Sequence, residues 1–128
     1  LTGIGAASYP GRWNSKGVRL VYTASSHSLA LLEMLVHVNT THDVPENLRL
    51  LTYELPDACI HDLDPALLPE GWDQLPYSQP VRSVGDGFVR AGRHLALRVP
   101  SAITPSESNL LINPGHADIA RVKEVGNT

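Results

Sequence analysis

Between Leu29 and Val38 the chain is apolar except at two positions, Glu33 and His37. Ser25 or Ser26, just ahead, supplies a hydroxyl that accepts from the free N–H groups of a first helical turn. A helix is therefore expected over residues 25–39. Leu29, Leu31, Leu32, Met34, Leu35, Val36 and Val38 place apolar groups on almost every side of it. A helix apolar all round belongs inside a core, and this run falls short of the roughly 18 residues that a membrane span needs. Glu33 sits in its middle, where a carboxylate without a partner or a use is costly. His37 lies one turn on and shares its face. From the helix alone, a structural Glu–His or Glu–Arg pair and a catalytic carboxylate are equally open.

The other segments are read around this helix. Residues 1–19 are rich in Gly and Ser and form an ordered loop carrying Arg12, Trp13 and Asn14. Leu20–Ala24 is a strand, and Leu48–Leu55 is another, ended by Pro56. Residues 56–80 hold five of the ten prolines and are expected to be irregular or short-helical. Val84–Arg93 is a glycine-interrupted helix, and His94–Val99 alternates as a strand up to Pro100. Leu110–Ile112 is a short buried strand before the turn Asn113-Pro114-Gly115, and Ala120–Val125 is a final edge strand. Strands outnumber helices without regular βαβ spacing, so the expected class is α+β, in a single domain over residues 1–128.

Composition excludes several function classes. Hydrophobic residues make up 42% and charged residues 18%, too apolar for a disordered chain. The net charge is −3 with no cluster of Lys and Arg, so neither nucleic acid nor a membrane surface is expected as a partner. A lone cysteine, Cys59, allows no internal disulfide and suits a cytoplasmic location. The early glycines do not match the dinucleotide fingerprint. The six histidines show no zinc spacing, and no serine occupies a G-x-S-x-G elbow. Three further residues each have an ordinary reading: Arg12 as a surface arginine, Tyr22 as a packed core aromatic, Ser101 as a turn serine after Pro100. Against these, the arginine fork suits a phosphate or carboxylate.

Taken in order, several short motifs resemble one family. They are Gly11-Arg12-Trp13-Asn14-Ser15-Lys16-Gly17, Val21-Tyr22-Thr23-Ala24-Ser25, Leu31-Leu32-Glu33-Met34-Leu35-Val36-His37, Val99-Pro100-Ser101-Ala102-Ile103, and Asn109-Leu110-Leu111-Ile112-Asn113-Pro114 with His116. Together they resemble the RES domain, named for its Arg, Glu and Ser. Residues 56–93 match it only loosely, and Gly115 stands where a bulkier residue is commoner.

The resemblance implies an ADP-ribosyltransferase-like mixed β-sheet core and cleavage of the nicotinamide–ribose bond of NAD. It implies that the chain is the toxin of a toxin–antitoxin pair, with a cognate antitoxin as partner. NAD is then the substrate, and no tightly bound cofactor or metal is expected. By the same resemblance, Arg12 grips the dinucleotide phosphates, Tyr22 lines the nicotinamide pocket, Glu33 is catalytic and Ser101 orients the site. Asn113 and His116 are carried over as NAD-binding positions of unspecified role. The ADP-ribose acceptor stays open. Water or phosphate makes the enzyme an NAD glycohydrolase or phosphorylase, and a host protein side chain makes it a mono-ADP-ribosyltransferase. Many transferase toxins have a second acidic residue two positions before the catalytic glutamate; here that position is Leu31. A non-catalytic NAD- or partner-binding module is the third reading. If the site is shared, Arg12, Tyr22, Glu33 and Ser101 line one cleft, with Glu33 largely buried and Arg12 nearer the mouth.

Overall fold

The computed structural model describes residues 1–37 and 46–128. A short helix α1 (Ile4–Ser8) leads into strand β1 (Val21–Ala24) and helix α2 (His27–Val36). Strands β2 (Leu51–Glu54) and β3 (Ile60–Asp62) precede helix α3 (Gln79–Ala91). Strands β4 (Ala96–Pro100), β5 (Ser108–Ile112) and β6 (Lys123–Asn127) complete the order. Four strands form one mixed sheet in the order β1-β5-β4-β3, with β3 parallel to β4 and the other pairs antiparallel. A separate antiparallel pair joins β2 to β6. The fold is α+β.

The sheet carries apolar groups on both faces, with the period of two that a strand imposes. Leu97, Val99 and Leu111 join Trp13, Leu20 and Val81 in one cluster, against which α3 packs Val84, Phe88 and Val89. Ala96 and Ile112, the alternate positions, join Cys59 and Leu95 in a second cluster under Ile119 and Val122.

Helix α3 begins earlier than its glycines suggest. Pro80 occupies its first turn, where the missing N–H has no partner to lose. Gly92 ends it in the left-handed conformation, φ 61°, and its N–H donates to the Phe88 carbonyl. The positions Val81, Val84, Gly85 and Phe88 form one stripe of helical spacing facing the core. Gly85 is there because of contact: a Cβ on it would come within 1.8 Å of the Trp13 carbonyl oxygen.

Several sequence expectations are corrected. The helix expected over residues 25–39 is not buried all round. Ser26 caps it, its Oγ accepting from the Leu29 N–H at 3.1 Å. Leu29 is its one fully buried residue, whereas Leu31, Leu32, Leu35 and Val36 are 51%, 43%, 44% and 56% exposed. The helix ends at Val36, and Val38 and Asn39 lie outside the described residues. Its main neighbour is the four-residue strand β1, which covers only one stripe of it. Uniform apolarity shows that some side is covered without showing how many. The last strand also starts at Lys123, after a 3₁₀ turn over Ile119–Arg121, not at Ala120. The proline-rich middle hides strand β3, whose three residues are too few for any periodicity to register.

Candidate active site

The end of the mixed sheet nearest α2 brings three chain segments together. Ala24, the last residue of β1, pairs with Asn109 of β5, and Pro100 of β4 pairs with Ser108. Ser101 and Asn109 therefore emerge at the same edge, beneath α2. Ser101 is fully buried. Its Oγ accepts from the backbone N–H groups of Ile103 and Thr104, both at 3.2 Å. Those bonds occupy its lone pairs and direct its proton outward, to Glu33 Oε2 at 2.9 Å. The Asn109 amide donates to Glu33 Oε1 at 2.7 Å and to the Thr23 carbonyl at 3.2 Å. Both carboxylate oxygens of Glu33 are thus fixed by neutral donors. No cation lies within salt-bridge distance of the carboxylate among the described residues. The structural Glu–His and Glu–Arg pairs left open by the sequence are absent there. Glu33 is half-buried and faces a cleft of about 660 Å³.

The opposite wall is the loop carrying Arg12. Asn14, fully buried, organises it. Its amide nitrogen donates to the carbonyls of Ala6, Ser15 and Val18, while its Oδ1 accepts from the Gly11 N–H and the Tyr22 hydroxyl. Helix α3 holds the same loop from behind. The buried Asp86 accepts from the Ser15 N–H at 2.8 Å and from its hydroxyl at 2.5 Å. The Tyr22 hydroxyl also accepts from the Trp13 N–H at 3.1 Å. Burial of that hydroxyl pushes the Tyr22 phenol well above its ordinary range, so it stays protonated. The ring itself remains 38% exposed along the cleft. Arg12 spends one terminal nitrogen on the carbonyls of Trp72 and Gln74, at 2.8 and 2.9 Å, and its guanidinium lies 4.7 Å from the centre of the Tyr77 ring. Its other nitrogens make no hydrogen bond among the described residues.

Arg12, Tyr22 and Glu33 therefore line one cleft, with His37, Asp73 and Tyr77 also on its walls. Ser101 is part of the same site but lies behind Glu33, and Glu33 is half-buried instead of largely buried. Asn113 and His116 are not among the residues that line the cleft. The register gives the reason: Asn109 stands at the cleft end of β5, whereas Ile112 pairs with Val21 at the other end. Four residues along a strand carry the chain about 13 Å away. Asn113 opens instead onto a second hollow beside Arg19 and Arg90, and His116 Nδ1 accepts from the Asp118 N–H in the turn that follows. Asn14, Asn109, Tyr77 and Asp86 received no role from the sequence. The signals for Asn109 were its place at the head of the motif Asn109–Pro114 and its polarity directly before the apolar run Leu110–Ile112.

The RES domain family model matches residues 1–128. A protein of Sphingobium sp. (strain YBL2) named "Prs ADP-ribosylating toxin" is 43% identical over 126 residues, covering 96% of this chain and 78% of that protein. A "Toxin Res" of Yersinia enterocolitica is 41% identical over 115 residues, covering 90% of this chain and 75% of the relative. A second "Toxin Res", from Pseudomonas putida, is 41% identical over 124 residues, covering 96% and 83%. With the family model spanning every residue that builds the cleft, the chain belongs to the RES domain family.

Proposed function

We propose that the cleft binds NAD and breaks its nicotinamide–ribose bond. The observation that carries this reading is the Glu33 carboxylate, fixed by Ser101 and Asn109 yet facing the cleft without a cation of its own among the described residues. A preorganised, uncompensated carboxylate is suited to a positive charge that develops only during reaction. In the proposed step the bond from ribose C1′ to the nicotinamide ring nitrogen breaks. Both electrons go to that nitrogen, so nicotinamide leaves as a neutral base and needs no general acid. The ribose gains oxocarbenium character, which Glu33 stabilises. An acceptor O–H then attacks C1′ and releases a proton. Tyr22 presents its exposed ring edge to the nicotinamide, and the free nitrogens of Arg12 take up a phosphate. A cleft of about 660 Å³ falls in the range of ligand pockets of nucleotide size.

Two acceptor readings follow. NAD depletion, with water or phosphate as acceptor, is the primary one. Transfer to a protein side chain is the second, and the name of the Sphingobium relative favours it. The names of the relatives further support a toxin, and a toxin of this kind needs a cognate antitoxin to restrain it in its host. No helix among the described residues is long and apolar enough to cross a membrane.

The test is to incubate the purified chain with NAD and follow free nicotinamide, with and without a Prs protein as acceptor. Release without protein supports NAD depletion. Release only with protein, accompanied by label from NAD on that protein, supports transfer. No release in either arm leaves a non-catalytic module and removes both readings. Expression of the wild-type chain is expected to arrest growth, and the Glu33→Gln form is not.

A further inference from the structure

The cleft is short of positive charge for the ligand proposed above. Its charged lining consists of one arginine, Arg12, against two carboxylates, Glu33 and Asp73. A dinucleotide brings a diphosphate, with a negative charge on each phosphate. Arg12 alone, with one terminal nitrogen already committed to Trp72 and Gln74, leaves the second phosphate unmatched.

A second guanidinium, not itself part of the cleft lining, stands against a ring that is, Tyr77. Arg82, in the first turns of α3, sits 6.0 Å from the centre of the same Tyr77 ring that Arg12 overlies at 4.7 Å. Its charge is also felt at the Tyr22 hydroxyl. Arg82 forms no ion pair and donates no side-chain hydrogen bond among the described residues. Its Nε is the one buried side-chain nitrogen or oxygen among them without a partner. Buried polar groups are nearly always satisfied, and each exception calls for an explanation. Two guanidiniums against one ring repel each other, and an anion placed between them relieves that repulsion.

We propose, resting on the NAD reading above, that Arg82 is the second phosphate ligand of the cleft. It shares the Tyr77 ring with Arg12, and the pair selects a diphosphate-bridged nucleotide over a monophosphate. On binding, the Arg82 side chain turns past the edge of Tyr77 and gives its idle donors to the phosphate that Arg12 does not hold. An arginine is suited to this task because its fork donates two parallel bonds to phosphate oxygens.

The experiment titrates the wild-type chain, Arg82→Gln and Arg82→Lys with ADP-ribose, which has no nicotinamide to lose, and with AMP, which has a single phosphate. Arg82→Gln is expected to weaken ADP-ribose about 10- to 100-fold, the usual worth of charge-assisted hydrogen bonds. AMP is expected to change less than about 3-fold, with Arg82→Lys intermediate for ADP-ribose. The thermal midpoint of Arg82→Gln is expected to be unchanged or higher, because the native side chain leaves a donor unsatisfied. Unaltered ADP-ribose affinity overturns the assignment. So does an equal loss for both ligands, or a clear fall in thermal midpoint, either of which makes Arg82 a prop for Tyr77. A wild-type chain that binds no ADP-ribose overturns it as well. Tight ADP-ribose binding that needs Arg82, in a chain that never releases nicotinamide, supports the assignment and sinks the cleavage reading alone.

Discussion

Replacing Glu33 by Gln separates what the carboxylate does for the fold from what it does for the reaction. In the native site Ser101 has one proton and Asn109 has one free amide hydrogen, and both point at Glu33. A glutamine offers one oxygen and one NH₂ group. The oxygen satisfies one of the two donors, and the NH₂ then faces the other. One charge-assisted bond is lost and two donors oppose each other, a cost of about 1.5–3 kcal/mol. The low end applies, since Glu33 is half-exposed and the new amide turns partly to water. For a chain of this size about 1.5 kcal/mol corresponds to a fall of roughly 5 °C in thermal midpoint. The catalytic loss is larger. A carboxylate about 4 Å from a developing unit charge, at an effective dielectric constant near 20, contributes about 4 kcal/mol. That converts to roughly a thousandfold in rate. The assay is nicotinamide release from NAD at saturating substrate, beside a thermal melt of the same sample. A variant within tenfold of wild-type turnover refutes the electrostatic role. A midpoint unchanged within a degree refutes the hydrogen-bond geometry instead.

Three further outcomes are expected. Arg12→Ala should raise the KM for NAD about 10- to 100-fold with a smaller change in kcat, as fits the loss of a charge-assisted phosphate contact; an unaltered KM in steady-state kinetics removes Arg12 from the binding site. Gly85→Ala should destabilise by about 3 kcal/mol or more, because the new methyl would meet the Trp13 carbonyl oxygen at 1.8 Å. Gly87→Ala, two residues on with nothing within 4 Å, should instead stabilise, by about 0.5–1 kcal/mol; denaturant melts that rank the pair the other way contradict the packing of α3 on the Arg12 loop. Stability should also decline above pH 10, where the Tyr22 phenol ionises in the unfolded chain but stays protonated when folded. The raised folded pKa means that this contribution is whole below pH 10 and is lost as pH rises. The slope is at most about 1.4 kcal/mol per pH unit for one proton, less here because the ring is partly solvated. Urea melts from pH 9 to pH 11 should show a shallower decline for Tyr22→Phe than for wild type.

The sequence spoke most clearly where one residue broke a local rule. Glu33 inside an apolar helix demanded a partner or a use, and the structure gives it two neutral donors, Ser101 and Asn109, at the cleft wall. The α+β class followed from strand spacing, and Ser26 capped α2 as its hydroxyl chemistry suggested. What was not legible depended on long-range pairing. Nothing near Asn109 in sequence reveals that its amide meets a carboxylate 76 positions earlier, because that contact is made by the β1–β5 register. The exposure of α2 was hidden for a related reason: how much of a helix is covered depends on the width of its neighbour, and β1 is only four residues long. Asn113 and His116 shared a motif with Asn109, but proximity along an extended strand works against a common site, since each residue moves the chain about 3.4 Å further on.

The two walls of the cleft rest on different supports. The carboxylate wall belongs to the sheet end, through Ser101 after β4 and Asn109 at the start of β5. The arginine wall belongs to α3, through Gly85 under Trp13 and Asp86 under Ser15. Tyr22 bridges them: its backbone lies in β1, paired with Leu111, while its hydroxyl is locked into the loop by Asn14 and Trp13. The separation between the Arg12 loop and the Glu33 carboxylate is thereby set by a strand and a buried hydrogen bond. A substrate whose diphosphate and scissile ribose sit a fixed distance apart needs that kind of frame, because a misplacement of about 1 Å costs on the order of a hundredfold in rate. The burial of Asn14, with five hydrogen bonds and no exposed surface, then has a physical reason beyond packing. It fixes the loop on which Arg12 stands to the strand from which Tyr22 reaches, and under the proposed NAD reading that frame sets the scissile bond opposite Glu33.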